Sequence, residues 1–141
     1  MTTDDAHRRV TIDRVRNTHY TATNARGGTI GVGSGSDNDF TPVELLLSAI
    51  AGCTAIDVDL VTSRRAEPDS FQVVAEGDKV RDGQGNHLSG IMVTFRIAFP
   101  DGGGGDEARA ILPDVVQKSH NRLCTVSRTV EIGTPISSRI E

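Results

Sequence analysis

Residues 41–65, TPVELLLSAIAGCTAIDVDLVTSRR, constrain this chain more than any other stretch. Their apolar side chains run almost all the way round a helical projection, so the helix they form needs cover on most sides. Thr41 suits the N-cap, Pro42 the first helical position, and Glu44 completes a T-x-x-E capping box. Arg64 and Arg65 offer positive charge to the last turn, and Pro68 follows it. At 1.5 Å per residue the helix would be roughly 35 Å long. The unbroken apolar run is too short to span a bilayer, and Asp57 and Asp59 interrupt its second half. It reads as a core helix, with no membrane as partner.

A chain of 141 residues is short for covering such a helix. It reads as a single domain, 1–141, and a homodimer in which two of these helices pack together would supply the missing cover. A net charge of −4, with neither a basic run nor an aromatic platform, argues against nucleic acid as a partner. The N-terminal residues carry no apolar segment that would serve as a secretion signal. Two cysteines in that setting point to the reducing cytoplasm, where a pair is more often catalytic than structural.

Around the helix the pattern is mostly strand. Residues 1–9 read as a frayed start. Residues 10–33 are rich in threonine and β-branched side chains, with NARGG as a hairpin turn that carries Arg26. GSGSDNDF, 33–40, is a flexible approach in which Phe40 can staple the start of the helix. Beyond the helix, 71–81 reads as a strand bulged at Gly77. Residues 89–99 alternate cleanly, with Ile91, Val93, Phe95, Ile97 and Phe99 on one face. PDGGGG is expected to be a loop, Asp106 the cap of a helix over 107–121, and Pro113 a kink or division in it. A short helical turn around Cys124 and a closing strand over 129–136 complete the chain. The fold class is α+β, with a mostly antiparallel sheet.

The chemistry available lies in Cys53, at the middle of the long helix, and Cys124. A thiol reacts as thiolate. Cys53 stands too far from its helix N-terminus for the dipole to help, so a cation from another segment is needed, and Arg14, Arg16 and Arg26 are the candidates. A thiolate that attacks a peroxide becomes a sulfenic acid, which a second thiol can condense with to form a disulfide. Inert burial of Cys53 as a small hydrophobe is the competing reading. His120, four residues before Cys124, suggests a cysteine hydrolase as another. The remaining histidines lack metal-ligand spacing, and GGGG lacks the lysine of a phosphate loop, so no metal or cofactor is expected.

TPVELLLSAIAGC together with SHNRLCTVSRTV resembles the OsmC/Ohr family of bacterial stress proteins, and the order of elements resembles it over essentially the whole chain. The resemblance implies an intertwined homodimer, with antiparallel sheets wrapped around long buried central helices and sites at the subunit interface. It implies thiol-dependent reduction of organic hydroperoxides, with Cys53 peroxidatic and Cys124 resolving. The reductant would be a thiol, such as a dihydrolipoyl protein. TATNARGG sets Arg26 at the family's arginine, where it would hold Cys53 as thiolate. The family's glutamate corresponds to Val43, while Glu44 lies one residue later and, on a regular helix, faces away from Cys53. Glu44 is thus the nearest candidate carboxylate, its capping role a sufficient reason for its presence, and the chain resembles a less characterised branch. Phe40, Leu46, Ile50, Leu123 and Val126 are the expected apolar contacts of the peroxide tail. The alternative is a non-catalytic dimer that binds a small hydrophobic ligand at its interface.

Overall fold

The computed structural model describes residues 6–141. They form two compact units, the first ending at Leu46 and the second running from Leu47 to Glu141. The expected frayed start lies partly outside the described residues.

The first unit is an antiparallel sheet of β1 (Val10–Arg16), β2 (His19–Asn24) and β3 (Thr29–Val32) in that order. NARGG does form the second hairpin. The Asn24 side-chain oxygen accepts from the Arg26 and Gly28 amides, both at 3.0 Å, and Gly27 supplies the positive φ of 88°. A first hairpin had no place in the sequence reading. Arg16 pairs with His19, which leaves Asn17 and Thr18 as a two-residue turn, with Thr18 at φ 61°. His19 is buried beneath it. Its Nε2 lies 2.6 Å from Asp37 Oδ2 and its Nδ1 3.0 Å from the Asn17 carbonyl. The Asn17 carbonyl first, and the Asp37 carboxylate second, hold the imidazole pKa above its ordinary value.

Helix α1 (Pro42–Thr62) starts as the sequence foretold. The Thr41 amide donates to Glu44 Oε1 at 2.9 Å, and the Glu44 amide donates to Thr41 Oγ1 at 3.2 Å. Its end is three residues earlier than the sequence reading placed it, so Arg64 and Arg65 lie beyond the last turn. Arg65 still serves the helix end, donating from its guanidinium to the Val61 carbonyl at 3.1 Å. Within this one chain α1 buries only a stripe at Ile50, Thr54, Val58 and Thr62, while Ile56 and Leu60 are 63% and 58% exposed. By length and composition α1 could cross a membrane. The expected all-round burial is therefore incomplete without further cover.

In the second unit, β4 (Ser70–Asp82) and β5 (Gly85–Ala98) form a long antiparallel hairpin. Its register shifts between Glu76 and Asp78, as expected at Gly77. The extra residue is on the opposite strand, where Gly90 takes φ 64° and lets two residues of β5 face one of β4. Helix α2 (Gly103–Lys118) corrects three expectations. The glycine run is helical rather than a loop: a Cβ at Gly104 would overlap the Arg65 carbonyl oxygen, and one at Gly105 the Pro100 carbonyl oxygen. Close backbone approach, not flexibility, requires those glycines. Asp106 lies in the first turn instead of capping it, and pairs with Arg109, which donates to the Phe99 carbonyl at 3.0 Å. Pro113 leaves α2 undivided, since its missing amide falls on an exposed side.

A π-helical turn (Ser119–Leu123) follows, then α3 (Thr125–Glu131). The closing strand expected over 129–136 is absent. Residues up to Glu131 are helical, Gly133 turns the chain out at φ 65°, and Ile136 is almost fully exposed. The alternation of Val130 and Ile132 imitated a strand, but capping by Cys124 set a helix first.

Candidate active site

The π turn delivers Cys124 to Cys53. The Cys124 amide donates to the Ser119 carbonyl, five residues back, at 2.8 Å. That wider turn carries Cys124 off the face His120 occupies, and His120 pairs with Glu131 at 3.1 Å instead. The Cys–His arrangement considered from sequence thus loses its spacing. Ser119, fully buried, holds the turn against α1. Its hydroxyl donates to Asp57 Oδ2 at 2.7 Å and lies 2.8 Å from Thr54 Oγ1. Because the serine proton is committed to the carboxylate, the threonine hydroxyl is the donor of that second bond.

This network sets Cys53 and Cys124 near each other, close enough for each sulfur to act on the other's charge. Cys53 is partly buried and Cys124 fully buried. Their surroundings push them apart. Burial, then the Cys124 sulfur and, more weakly, Asp57 raise the Cys53 thiol above its ordinary value, against the Val126 amide. Burial also acts to raise Cys124, but bonds from Cys53, the Ser127 hydroxyl and the Ser127 and Val126 amides outweigh it, so its pKa falls. The Ser127 amide stands 3.4 Å and the Ser127 hydroxyl 3.2 Å from Cys124 Sγ.

The other candidates separate. Val126 stands beside the pair, and Ile50 is buried in the α1 stripe. Leu123 is 54% exposed and borders a different cleft with Asp114, Lys118 and Arg122. Arg26, Phe40, Glu44 and Leu46 belong to the first unit. There Arg26 is exposed at its hairpin tip and Phe40 is 53% exposed. The Glu44 carboxylate is occupied by the Thr41 amide, which lowers its pKa. Residues missed from sequence are Ser119, Ser127, Thr54 and Asp57. The signal was present, since Thr54 and Asp57 are polar side chains three apart on an apolar helix and needed a partner.

A cleft of about 370 Å³ reaches Thr54, the neighbour of Cys53 in sequence, and Ser127, which bonds to Cys124. Thr54 of α1, Ile91, Met92, Val93 and Phe95 of β5, Val116 and Gln117 of α2, His120 and Ser127 border it. Among the described residues no group of three or more His, Cys, Asp or Glu side chains suits a metal ion.

The family model for OsmC-like proteins matches residues 34–139. The chain belongs to the OsmC-like family. An uncharacterised protein of Mycobacterium tuberculosis is 29% identical over 130 residues, spanning 92% of this chain and 93% of that one. In fold, the chain is similar to an OsmC-like protein of unknown function from Vibrio cholerae, with TM-score 0.70, 14% identity and coverage of 89% and 94%. The organic hydroperoxide resistance protein of Bacillus subtilis aligns at TM-score 0.58 with 15% identity, over 87% and 90% of the two chains. Residues of both cysteine segments lie inside the family match, and the α+β class with antiparallel sheets is that of these OsmC-like neighbours.

Proposed function

We propose that this OsmC-like protein reduces organic hydroperoxides through Cys53 and Cys124, working as a cytoplasmic homodimer. The observation that carries the reading is the proximity of Cys53 and Cys124, the only two cysteines of the chain. The partly exposed Cys53 is the thiol that meets peroxide. Its sulfur attacks the terminal oxygen, the O–O bond breaks, the alcohol leaves and Cys53 becomes a sulfenic acid. Cys124 then displaces the hydroxyl as water, forming a disulfide, and a dithiol reductant such as a dihydrolipoyl protein returns both sulfurs to thiols. Arg26, from the first unit or from a second copy, is proposed to orient the peroxide; Phe40, Leu46 and Val126 are proposed to meet its apolar tail. The exposed side of α1 at Ile56 and Leu60 is the surface a second copy would cover. Consumption of tert-butyl and cumene hydroperoxides by wild type in the presence of a dithiol, lost in Cys53→Ser, is the expected result. Equal consumption by Cys53→Ser would remove the proposal.

A second reading is favoured by the cleft at Thr54 and Ser127; its wall of Ile91, Met92, Val93 and Phe95 suits a small hydrophobic ligand held without turnover. It predicts a co-purifying lipid in native mass spectrometry and thiols inert to hydroperoxide.

A further inference from the structure

The first hairpin and the approach to α1 hold each other at one buried imidazole, His19. GSGSDNDF, 33–40, leaves β3 and returns to it: the Gly33 amide donates to the Phe40 carbonyl at 3.0 Å, and Val32 bridges Phe40. The strap closed in this way is tied across its middle to the end of the first hairpin. His19 Nε2 lies 2.6 Å from Asp37 Oδ2, and Arg16 reaches the same oxygen at 3.6 Å. The Ser34 hydroxyl donates to Thr18 Oγ1 at 3.4 Å, and Asp37 Oδ1 accepts the Asp39 amide at 2.9 Å. On its other side, His19 Nδ1 lies 3.0 Å from the Asn17 carbonyl, in a turn whose Thr18 takes φ 61°, a conformation threonine seldom adopts.

Both ring nitrogens therefore face an acceptor. A neutral imidazole has one N–H and would turn a lone pair on either the carboxylate or the carbonyl; only the imidazolium donates to both. The Thr18 hydroxyl, which could donate to a bare Nδ1, is more distant at 3.4 Å. A proton on Asp37 instead is disfavoured by the Asp39 amide and by Arg16. Among the described residues, Asp37 of the strap and Arg16 of β1 are the charged groups that act on His19. Asp39 turns against Gly31 of β3, where a Cβ would overlap its carboxylate, and neither β3 nor the Asn17–Thr18 turn carries an ionisable side chain.

We propose that the His19 proton is a latch: with it the strap is fastened to the first hairpin, and without it the approach to α1 loosens. The device lies within the first unit and is independent of the hydroperoxide reading. Its sign follows from the ring's folded pKa, which the Asn17 carbonyl first and Asp37 second raise above the ordinary 6.5. The latch contributes stability that is complete below that ordinary value and lost as pH rises through the folded one. Phe40 ends the strap and Thr41 caps α1, so the segment that loosens is the one that enters the long helix.

The test is nuclear magnetic resonance on the full reduced chain, with no peroxide present. Nitrogen shifts of His19, assigned with His19→Gln, are expected to show both ring nitrogens protonated at about pH 6. Hydrogen-exchange protection of the Gly33 and Asp39 amides, corrected for intrinsic exchange, should fall severalfold as His19 titrates, while the paired strands β1 and β2 keep theirs. In His19→Gln, which has no titrating ring, protection of both amides should stay level over the same range. Asp37→Asn should lower the His19 midpoint. A single ring proton at about pH 6, an unchanged midpoint in Asp37→Asn, or wild-type protection that stays level while His19 titrates overturns the proposal.

Discussion

Two helix caps in this molecule share one geometry and differ in one atom. Thr41 caps α1 by accepting from the amide three residues on, and Cys124 caps α3 in the same way. At Thr41 the acceptor is a hydroxyl, and Glu44 closes the box by accepting the Thr41 amide. That arrangement satisfies two helix-end donors and is complete in itself. At Cys124 the acceptor is sulfur, its own amide is taken by Ser119, and the side chain at the third position turns toward the sulfur. The same cap therefore stabilises an ionisable atom. A motif that fixes structure in one place tunes a thiol in the other.

The largest contrast lies in Cys124→Ser, which should abolish steady-state peroxide consumption because no disulfide can form, while Thr41→Ser leaves it unchanged. Next is Ser119→Ala. Leaving Thr54 and Asp57 without their buried partner should cost about 1–3 kcal/mol in urea unfolding. Ser119→Thr, which keeps the hydroxyl, should restore part of it. Thr41→Ala should cost about 1 kcal/mol with no change in thiol titration. Ser127→Ala, by contrast, should raise the Cys124 pKa while the capping amide remains. If Thr41→Ala shifted the titration, or Ser127→Ala did not, the two caps would not differ in the way described.

The caps also separate by pH. Both acids have folded pKa values below their ordinary ones, 4.5 for Glu44 and 9.0 for Cys124. Each therefore contributes stability that is complete above its ordinary value and lost as pH falls through the folded one. Unfolding midpoints of Glu44→Gln should differ from wild type in pH dependence only below about 4.5. Those of Cys124→Ser should diverge on the alkaline side. A loss of peroxide consumption in Glu44→Gln would instead make Glu44 the carboxylate partner of Arg26.

Local chemistry was legible in the sequence. The T-x-x-E box, the alternation of β5 and the irregularity opposite Gly77 all depend on neighbours within a few residues. The Asn17–Thr18 turn was not, because threonine seldom takes positive φ and no glycine marked it. Glycines 103–105 misled for the reverse reason. Their conformational freedom suggested a loop, whereas the lack of side chains at Gly104 and Gly105 lets α2 approach the Arg65 and Pro100 carbonyls. At the site, the residues offered Cys53 and Cys124 as a redox pair and family resemblance gave them their roles, but nothing in either set the two side by side. The π turn that brings them together is one residue wider per turn than an α-helix, and nothing in SHNRL announces it. The direction of the thiol pair was legible least of all, since it depends on Ser127, Val126 and Asp57 acting from two distant segments.

The most direct test is peptide mapping by mass spectrometry after one equivalent of cumene hydroperoxide is added to the reduced chain. The account predicts a single disulfide joining the Cys53 and Cys124 peptides, reversed by a dithiol. Two free thiols, or Cys53 oxidised without a bond to Cys124, would contradict it.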